Sequence, residues 1–347
     1  MSTANLDAAD LRAVTRGGLI REDVMNKIWD ISKIPLPLTD MIGSGTSSHP
    51  YKEWTTDELA APSITNARVD GADASGNNTV TGARVGNHHQ ISDKVVRVSY
   101  RANSSDTIGR AKELAYQLSR RQQELRRDVE ATMLVNQASV ADDGNATAGK
   151  SGGLPSWIKT NVALFAGGAV GGFVPGTGLT AARTIATAAA GLTETLVRQA
   201  AEQVFNQGGE ASVLMTTPAV IRQLSSYLFT SSARVATLMS DIEGSSSAAT
   251  AMGSVNVFVT DFGTLKFMPN RLQQTYTVAA VPNATDVFVL DPSYLSQSFL
   301  QGYRTDELAK TGSAENRQML IDWTLVVNNE KAQAMINDIN PATAVIA

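Results

Sequence analysis

Eight residues near the middle of the chain match a phosphate-binding loop. The segment Gly144–Ser151 reads Gly-Asn-Ala-Thr-Ala-Gly-Lys-Ser, the pattern G-x-x-x-x-G-K-S. In such a loop the backbone amides surround the phosphates of a nucleotide, while Lys150 would contact the terminal phosphates and Ser151 would bind magnesium. Apolar runs that end in Asp261 and Asp291 could supply the strand that holds the metal. The motif makes nucleotide hydrolysis the enzymatic hypothesis for this chain.

The residues on both sides of this motif argue against a nucleotide site. A phosphate-binding loop leaves a buried strand and enters a helix whose N-terminus faces the phosphates. Here the preceding residues, Ser139–Asp143, read as the acidic end of a helix, and Gly152–Pro155 follow the motif. Asp142 and Asp143 would also repel a phosphate. We therefore keep a P-loop nucleotide-binding enzyme that uses Gly144–Ser151 as the alternative function.

Other catalytic or metal-binding patterns find no support in the sequence. The histidines are His49, His88 and His89, and adjacent residues of a strand point to opposite faces, so His88 and His89 cannot hold one ion together. Asp261-Phe262-Gly263 copies a kinase tripeptide, but the chain has no His-Arg-Asp. The chain has no cysteine, which excludes disulfides and thiol catalysis. We predict no catalytic residue, no cofactor and no metal.

Length, charge and composition set wider bounds. A chain of 347 residues is long enough for a substantial core, and its net charge of −4 gives no basic footprint for nucleic acid. The start, Met1–Asp10, does not read as a secretory signal, so we expect the protein to stay in the cell that makes it until lysis. The uncharged stretch Val162–Leu179 contains six glycines and Pro175, which favours a Gly-rich loop over a membrane span.

A ribbon without a core of its own occupies Tyr51–Tyr100. Its predicted tip is Gly71–Asn78, where Gly, Asn, Asp and Ser permit the chain to reverse. In Lys94–Tyr100 β-branched and aromatic residues alternate with polar ones, which predicts the return arm of a long hairpin. Because an isolated hairpin is marginally stable in water, we expect it to lie on another surface, which may belong to a second copy of the chain.

A long charged helix follows the ribbon. The pattern predicts a helix from an N-cap at Asp106 to Val135, roughly 45 Å at ~1.5 Å per residue. Its apolar residues form one narrow stripe, which Arg121 and Gln122 interrupt. The interruption argues against a coiled coil, whose heptads continue over three or four repeats.

The remaining elements complete an α+β chain. An amphipathic helix around Ile20 precedes the ribbon, and a mobile loop is predicted at Thr230–Ser254. The central part is predicted to contain helices at Leu192–Asn206 and from Thr217 through Leu228, and strands at Ser212–Met215, Val255–Thr260, Leu265–Met268 and Val287–Leu290. The strand Gln318–Val327 is predicted to pair with Glu307–Lys310 across a turn.

Several short segments occur in a set order along the chain. They are Tyr51–Leu59, Gln90–Ser99, Glu124–Glu130, Leu154–Ile158, Asp261–Gly263, Pro269–Arg271 and Leu308–Gly312. Together with the order of the elements, they resemble the major capsid proteins of tailed bacteriophages, which share the Hong Kong 97 fold. The resemblance implies an N-terminal arm at 1–46, an extended loop at 47–104, and a peripheral domain with its spine helix and following loop at 105–190. It further implies an axial domain at 191–300 and returning strands of the peripheral domain at 301–347.

The resemblance also implies a function. Such a subunit assembles into pentamers and hexamers that form an icosahedral head around double-stranded DNA, without sequence-specific DNA binding and without a membrane. Its partners would be other copies of the chain, a portal, and scaffold or decoration proteins. It would assemble in the host cytoplasm and reside in the virion. Another shell-forming protein of the same fold, such as one that encloses a compartment, remains a further possibility.

Candidate interface residues follow from this reading. We expect Trp54, Ile91 and Val98 to support packing of the hairpin between subunits. Four arginines of the long helix are expected to form ion pairs between neighbouring subunits: Arg120, Arg121, Arg126 and Arg127. The segment Ser231–Ser247 is expected at the centre of the ring.

Overall fold

The computed structural model of the protein describes residues 35–71, 73, 81–230, 256–310 and 312–343. Four predicted features fall wholly or mostly outside these ranges: the helix around Ile20, the hairpin tip Gly71–Asn78, the loop Thr230–Ser254 and, within that loop, the segment Ser231–Ser247.

Helices and strands both contribute to the described residues. The helices are α1 Pro37–Met41, α2 Tyr100–Ser104, α3 Glu113–Met133, α4 Leu154–Trp157, α5 Glu194–Asn206 and α6 Pro218–Thr230. The strands are β1 Gly43–Thr46, β2 Tyr51–Thr56, β3 Ala83–His88, β4 Gln90–Ser99, β5 Val162–Ala163, β6 Gly172–Val174, β7 Leu179–Ala181, β8 Val213–Thr216, β9 Val257–Thr260, β10 Gly263–Pro269, β11 Tyr276–Val278, β12 Val281–Leu290, β13 Leu295–Glu307, β14 Ala314–Val327 and β15 Ala334–Ile339. Single 3-10 turns cover Pro292–Tyr294 and Glu330–Ala332.

The larger sheet has seven strands, and its central strand β12 is buried on both faces over Ala284–Leu290. The strand order is β5-β15-β12-β8-β10-β9, and β11 pairs with β12. In β12, Val287 and Val289 pack in the core that contains α5 and α6, whereas Phe288 and Leu290 belong to the core on the other side. Burial of both faces explains why the run Val287–Leu290 is continuously apolar rather than alternating.

The smaller sheet has four strands in the order β1-β13-β14-β4, and the spine helix α3 packs against it. On α3 the buried apolar residues are Leu125, Val129 and Met133, and they share one core with Trp323 of β14 and Phe288 of β12. The spine helix and both sheets therefore enclose a common core.

The predicted hairpin exists, but its return arm was predicted at the wrong residues. Strand β2 pairs with β3, with Tyr51 opposite His88 and Thr56 opposite Ala83. The segment Lys94–Tyr100 contributes to β4, which instead pairs with β14 over ten residues of the smaller sheet. Alternating polarity shows that one face of a strand is buried, but it does not identify the neighbouring strand.

The spine helix begins later than Asp106. It starts at Glu113 after the N-cap Lys112, and its 21 residues span about 31 Å at 1.5 Å per residue. The chain before it forms the separate helix α2, and Gly109 has a φ of 74°, in the left-handed region. An α-helix cannot continue through that conformation, so the predicted helix is interrupted at Gly109.

Two of the predicted domain boundaries do not coincide with the ends of the strands in the two sheets. The range 301–347 was assigned to the peripheral domain, but β15 pairs with β12 and β5 in the larger sheet. Strand β13 begins at Leu295, before the predicted boundary at 300. Because β15 is buried along its whole length, its place inside the larger sheet satisfies its apolar residues better than an outer position would.

Other predicted elements are confirmed. Helices α5 and α6 and strands β8, β9, β10 and β12 occupy the predicted parts of the chain. Asp261-Phe262-Gly263 lies at the turn between β9 and β10.

Strand β14 contains the predicted Gln318–Val327, but the predicted partner Glu307–Lys310 is wrong. Gln318 lies opposite Asp306 and Val327 opposite Leu295, so these residues pair with the earlier part of β13. Alternation indicates a strand but does not set the register with its neighbour. The Gly-rich stretch Val162–Leu179, predicted as a loop, instead begins with β5 and also contains β6, whose partner β7 starts at its last residue.

Candidate assembly surface

The base of the hairpin is fixed to the body of its own chain. The indole Nε1 of Trp54 donates to the carbonyl oxygen of Val327 at 3.0 Å. The ring of Trp54 lies 5.3 Å from that of Trp157, which stacks at 6.0 Å on Phe173. The hydroxyl of Tyr51 donates to the Gly178 carbonyl at 2.9 Å. These contacts set the direction in which the hairpin leaves the body.

Beyond this base lies the hairpin limb, residues 57–82 between β2 and β3. None of its described residues belongs to either hydrophobic core. Lys331 Nζ lies 2.6 Å from Glu58 Oε2, and this ion pair links the limb to the body. Leu59 and Ile64 are each 99% exposed, and Val69 is 81% exposed. These three apolar side chains are therefore left uncovered by the described body.

Two of the predicted interface residues lie inside the chain. Trp54 makes the intrachain contacts described above, and Val98 is buried in β4. The face of β4 that carries Val98 is turned toward α3, since Lys94 on the same face pairs with Asp128 of that helix at 2.6 Å. Ile91 lies on the opposite face and is 59% exposed, so it remains a candidate for contact between subunits.

The four predicted arginines differ in their surroundings. The guanidinium of Arg120 lies 5.9 Å from the ring of Tyr116, and that of Arg126 lies 5.3 Å from the ring of Tyr303. Arg121 forms an ion pair with Glu124 one turn along the same helix. Arg127 forms no ion pair within the described ranges. Ion pairs with a neighbouring subunit stay a prediction for all four.

In the loop that matches a phosphate-binding site, the carboxylate of Asp143 takes the position that a phosphate would have. Asp143 Oδ1 accepts hydrogen bonds from the backbone amides of Asn145, Ala146 and Thr147 at 2.8 to 2.9 Å. Hydrogen bonds from Thr147 and Asn145 lower the pKa of Asp143 to about 2, so a negative charge fills the place of a phosphate. Asp143 thus stabilises a surface turn, and the backbone amides that would bind a phosphate are already paired.

The serine of the motif is equally unavailable. Ser151 is buried, and its hydroxyl is within 3.1 to 3.2 Å of Asn87 Nδ2, the backbone amide of Leu325 and Thr324 Oγ1. The helix that follows, α4, has four residues and begins only at Leu154. In the part of the chain that the structure describes, no group of three or more metal-binding side chains occurs. The geometry contradicts a nucleotide site at Gly144–Ser151.

Comparison with known proteins identifies the family. The family described as SU10 major capsid protein matches residues 3–340. This chain belongs to that family. Its members are structural subunits of phage capsids rather than enzymes. The major capsid protein of Escherichia phage Phieco32 is 31% identical over 220 residues. That alignment covers 56% of this chain and 62% of the relative, so the match spans less than two thirds of the relative's length.

Solved structures show that the fold is of the Hong Kong 97 type. A structure titled as the capsid of a native GTA particle matches with a TM-score of 0.58 at 11% identity, covering 97% of this chain and 100% of that one. The holo-SrpI encapsulin complex of Synechococcus elongatus PCC 7942 matches with a TM-score of 0.53 at 10% identity, covering 99% and 98%. Because the capsid of a GTA particle and an encapsulin share the fold, the fold alone does not assign a role to this chain, and its family is shown by the match over residues 3–340.

A buried carboxylate whose role the sequence does not reveal joins the segment around α1 to the spine helix. Glu130 of α3 is fully buried. Its Oε1 accepts from the Leu38 amide and Asn270 Nδ2, each at 2.8 Å, and its Oε2 accepts from the Thr39 amide at 2.8 Å and Thr39 Oγ1 at 2.5 Å. In the sequence Glu130 ends a highly charged run and reads as solvent-exposed, because its partners are far away in the chain.

A second missed cluster holds the larger sheet together at one end. Arg183 Nη2 lies 2.8 Å from Asp286 Oδ1, and Arg183 Nη1 lies 3.2 Å from Asp338 Oδ2. The hydroxyl of Tyr276 donates to Asp286 Oδ1 at 2.5 Å. Burial raises the pKa of Asp286, and the positive charge of Arg183 only partly offsets this rise. No local spacing signals the cluster, since its members come from four separate segments.

The described residues include no helix that is both long and apolar enough to cross a membrane.

Proposed function

We propose that this chain is the major capsid subunit of a tailed phage and that its copies assemble into pentamers and hexamers of an icosahedral head around double-stranded DNA. Membership of the major capsid protein family supports the proposal. The observation that carries it is the hairpin limb, where Leu59, Ile64 and Val69 are almost fully exposed. A self-sufficient monomer gains nothing from such a limb.

The energetics favour contact with a second copy. Burying a Val, Leu or Ile side chain contributes roughly 1.5 to 3 kcal/mol, so covering the three exposed residues stabilises an assembly substantially. The hairpin base is fixed to its own body by Trp54 and Tyr51, so the limb reaches outward in a set direction. A limb of one subunit on the body of the next is a head-to-tail contact, which closes into a ring when the rotation permits.

The proposal extends to the other components of a head. The subunits would surround DNA without reading its sequence, in keeping with the net charge of −4 and the lack of a basic footprint. Assembly would take place in the host cytoplasm, together with a portal and with scaffold or decoration proteins.

Particle size tests this function. The purified full chain should form ring- or shell-sized particles in light scattering and negative-stain electron microscopy. The triple variant Leu59→Ser, Ile64→Ser, Val69→Ser should remain folded but assemble poorly, because the apolar contact with the neighbour is lost. The matched control is Val170→Ser, which changes an exposed valine outside the hairpin. Shells of normal yield from the triple variant would reject the role of the limb, and a monomeric wild type under all conditions would reject the function.

A further inference from the structure

The dipeptide Asp-Gly occurs twice in the chain, as Asp70-Gly71 and as Asp143-Gly144. An Asp-Gly dipeptide rearranges without an enzyme when the amide nitrogen of the glycine attacks the side-chain carboxyl group of the aspartate. The attack needs a nitrogen that is accessible and a carboxyl group that is free to turn. Glycine favours it because the residue has no side chain to obstruct the approach.

The two glycines are closely matched in the folded chain. Gly71 has a φ of 77° and Gly144 a φ of 67°, both in the left-handed region. The two aspartates and the two glycines are all exposed. No described residue beyond the chain neighbours lies within 4 Å of the Cβ position of either glycine. Exposure and glycine conformation therefore do not distinguish the two dipeptides, and the difference between them lies in their hydrogen bonds.

Asp70-Gly71 is unrestrained in a turn of the hairpin limb. Neither residue forms a hydrogen bond or an ion pair within the described ranges. The pairing of β2 with β3 ends at Thr56 and Ala83, well before this turn. A segment with so few contacts changes conformation at almost no cost in free energy. The carboxyl group of Asp70 is therefore free to approach the nitrogen of Gly71.

Asp143-Gly144 is restrained at both reacting groups. Asp143 Oδ1 accepts hydrogen bonds from the backbone amides of residues 145–147 at 2.8 to 2.9 Å, which hold the carboxyl group away from the nitrogen of Gly144. That nitrogen donates to Asp142 Oδ1 at 2.9 Å. Hydrogen bonds, led by the one from Thr147, also lower the pKa of Asp143 to about 2 and keep it ionised, whereas the reaction consumes the neutral acid.

We propose that Asp70 is a site of spontaneous isomerisation to isoaspartate and that Asp143 is not. The nitrogen of Gly71 forms a bond to Cγ of Asp70, and its proton leaves with the carboxyl hydroxyl as water, which gives a cyclic succinimide. Water then opens the ring. Cleavage between the nitrogen and Cγ restores aspartate, and cleavage between the nitrogen and the backbone carbonyl carbon gives isoaspartate. Water leaves and returns, so no oxidant, reductant or cofactor is consumed.

Isomerisation changes the path of the hairpin limb. The backbone of isoaspartate runs through Cβ and Cγ, which inserts an extra carbon between residues 70 and 71 and leaves the α-carboxylate as a branch. The preceding residue is Val69, which is 81% exposed and belongs to the apolar contact proposed above. As a consequence that rests on the proposed function, an isomerised subunit joins shells less readily, so the reaction limits how long an unassembled subunit stays competent.

Peptide mapping of the full chain tests the proposal. The wild type is kept dilute in warm neutral buffer for several days, and fragmentation by electron transfer locates isoaspartate. It should accumulate at Asp70 and form at least about tenfold more slowly at Asp143, because each of the three hydrogen bonds contributes roughly twofold or more. Asp70→Glu retains the charge but should lose the signal, since glutamate would have to form a larger ring. The matched control Asp73→Glu changes another limb carboxylate and should leave the signal at Asp70 unchanged.

Unfolding provides a second readout without variants. In urea the hydrogen bonds of Asp143 are lost, so both aspartates should isomerise at similar rates. The proposal is overturned by equal rates at the two sites in the folded chain or by the absence of isoaspartate at Asp70. A preference for Asp70 that persists unchanged in urea would also overturn it, because the folded structure would then not be the cause.

Assembled particles test the consequence separately. When a partly isomerised sample assembles, the isoaspartate fraction at Asp70 should be lower in the shells than in the subunits left in solution. Equal fractions would show that isomerisation does not limit assembly. If the wild type forms no shells, the proposed function fails, whereas the peptide map still decides whether Asp70 isomerises.

Discussion

At the scale of single residues, Glu130 shows how a charged side chain becomes structural. Both of its oxygens are occupied by donors from α1 and from the loop after β10, so its negative charge is compensated inside the protein. The sequence does not reveal this role, because charged runs on a helix are usually exposed. The buried residues of α3 that periodicity does find are Leu125, Val129 and Met133.

Replacing Glu130 by Gln tests this interpretation. The amide nitrogen of Gln cannot accept, so at least one pair of donors loses its partner, either Leu38 with Asn270 or the two groups of Thr39. With a cost of about 1 to 3 kcal/mol for each unsatisfied buried group, the free energy of unfolding should fall by about 2 to 6 kcal/mol. Urea unfolding followed by tryptophan fluorescence measures it.

The matched control for this variant is Glu124→Gln on the same helix. Glu124 pairs with Arg121 at the surface, and such pairs contribute roughly 0 to 1 kcal/mol. If the two variants unfold at the same urea concentration, the buried carboxylate does not hold the N-terminal segment as described.

At the scale of elements, the spacing of apolar residues along the chain explains which helices and strands the sequence predicts correctly. Helix α5 and strand β14 follow from apolar residues at helical and alternating spacing. The strand that pairs with β4 cannot be predicted in this way, because the same alternation of polar and apolar residues fits any neighbouring strand. The start of the spine helix is missed at Gly109, whose conformation depends on the folded chain. Of the candidate interface residues, Ile91 stays exposed in the folded chain and remains a candidate. The sequence could not show that Trp54 and Val98 pack within their own chain, because their partners are distant in sequence.

Gly153 fixes the approach between the end of the spine helix and α4. A Cβ at this position would lie 1.9 Å from the Val135 carbonyl oxygen, which is backbone and cannot move aside easily. We expect Gly153→Ala to lower the free energy of unfolding by about 1 to 3 kcal/mol, as overpacking does. Gly176→Ala is the matched control, since nothing lies within 4 Å of its Cβ position. Equal denaturation midpoints for the two alanine variants would disprove the close contact.

His88 should make the hairpin base sensitive to acid. Burial, and then the neighbouring His89, lower the pKa of His88 below its usual 6.5. The folded state therefore favours the neutral ring, and this contribution to stability is complete above the unfolded pKa and is lost as the pH falls through the folded pKa. Hydrogen exchange of amides in β2 and β3, corrected for intrinsic rates, should be faster at about pH 5.5 than at about pH 7.5.

His88→Gln should remove this dependence, because glutamine does not titrate in that range. The control variant, His49→Gln, replaces an exposed histidine at the start of the same ribbon and should leave the dependence in place. Exchange that accelerates equally in acid for wild type and His88→Gln would show that another group is responsible.

At the scale of the whole molecule, the described body is complete without the hairpin limb. Both cores are built from the two sheets and their helices, and neither contains a residue between 57 and 82. The limb therefore contributes to neither core. The order of elements along the chain was sufficient to predict the fold type, whereas the contact surfaces depend on which side chains remain uncovered after folding.

Shortening the hairpin separates folding from assembly. Thr56 and Ala83 lie opposite each other in the β2–β3 register, so replacing Asp57–Gly82 by Asn-Gly closes the hairpin with a two-residue turn. The contact of Trp54 with Val327 is retained, so the circular dichroism spectrum and tryptophan fluorescence should match those of the wild type. In sedimentation velocity the variant should remain a small species at concentrations where the wild type forms shells, because each subunit has lost the arm that reaches its neighbour. Shells of normal size from a folded variant would mean that subunits recognise each other through the body alone, and the exposed limb would then need a different partner.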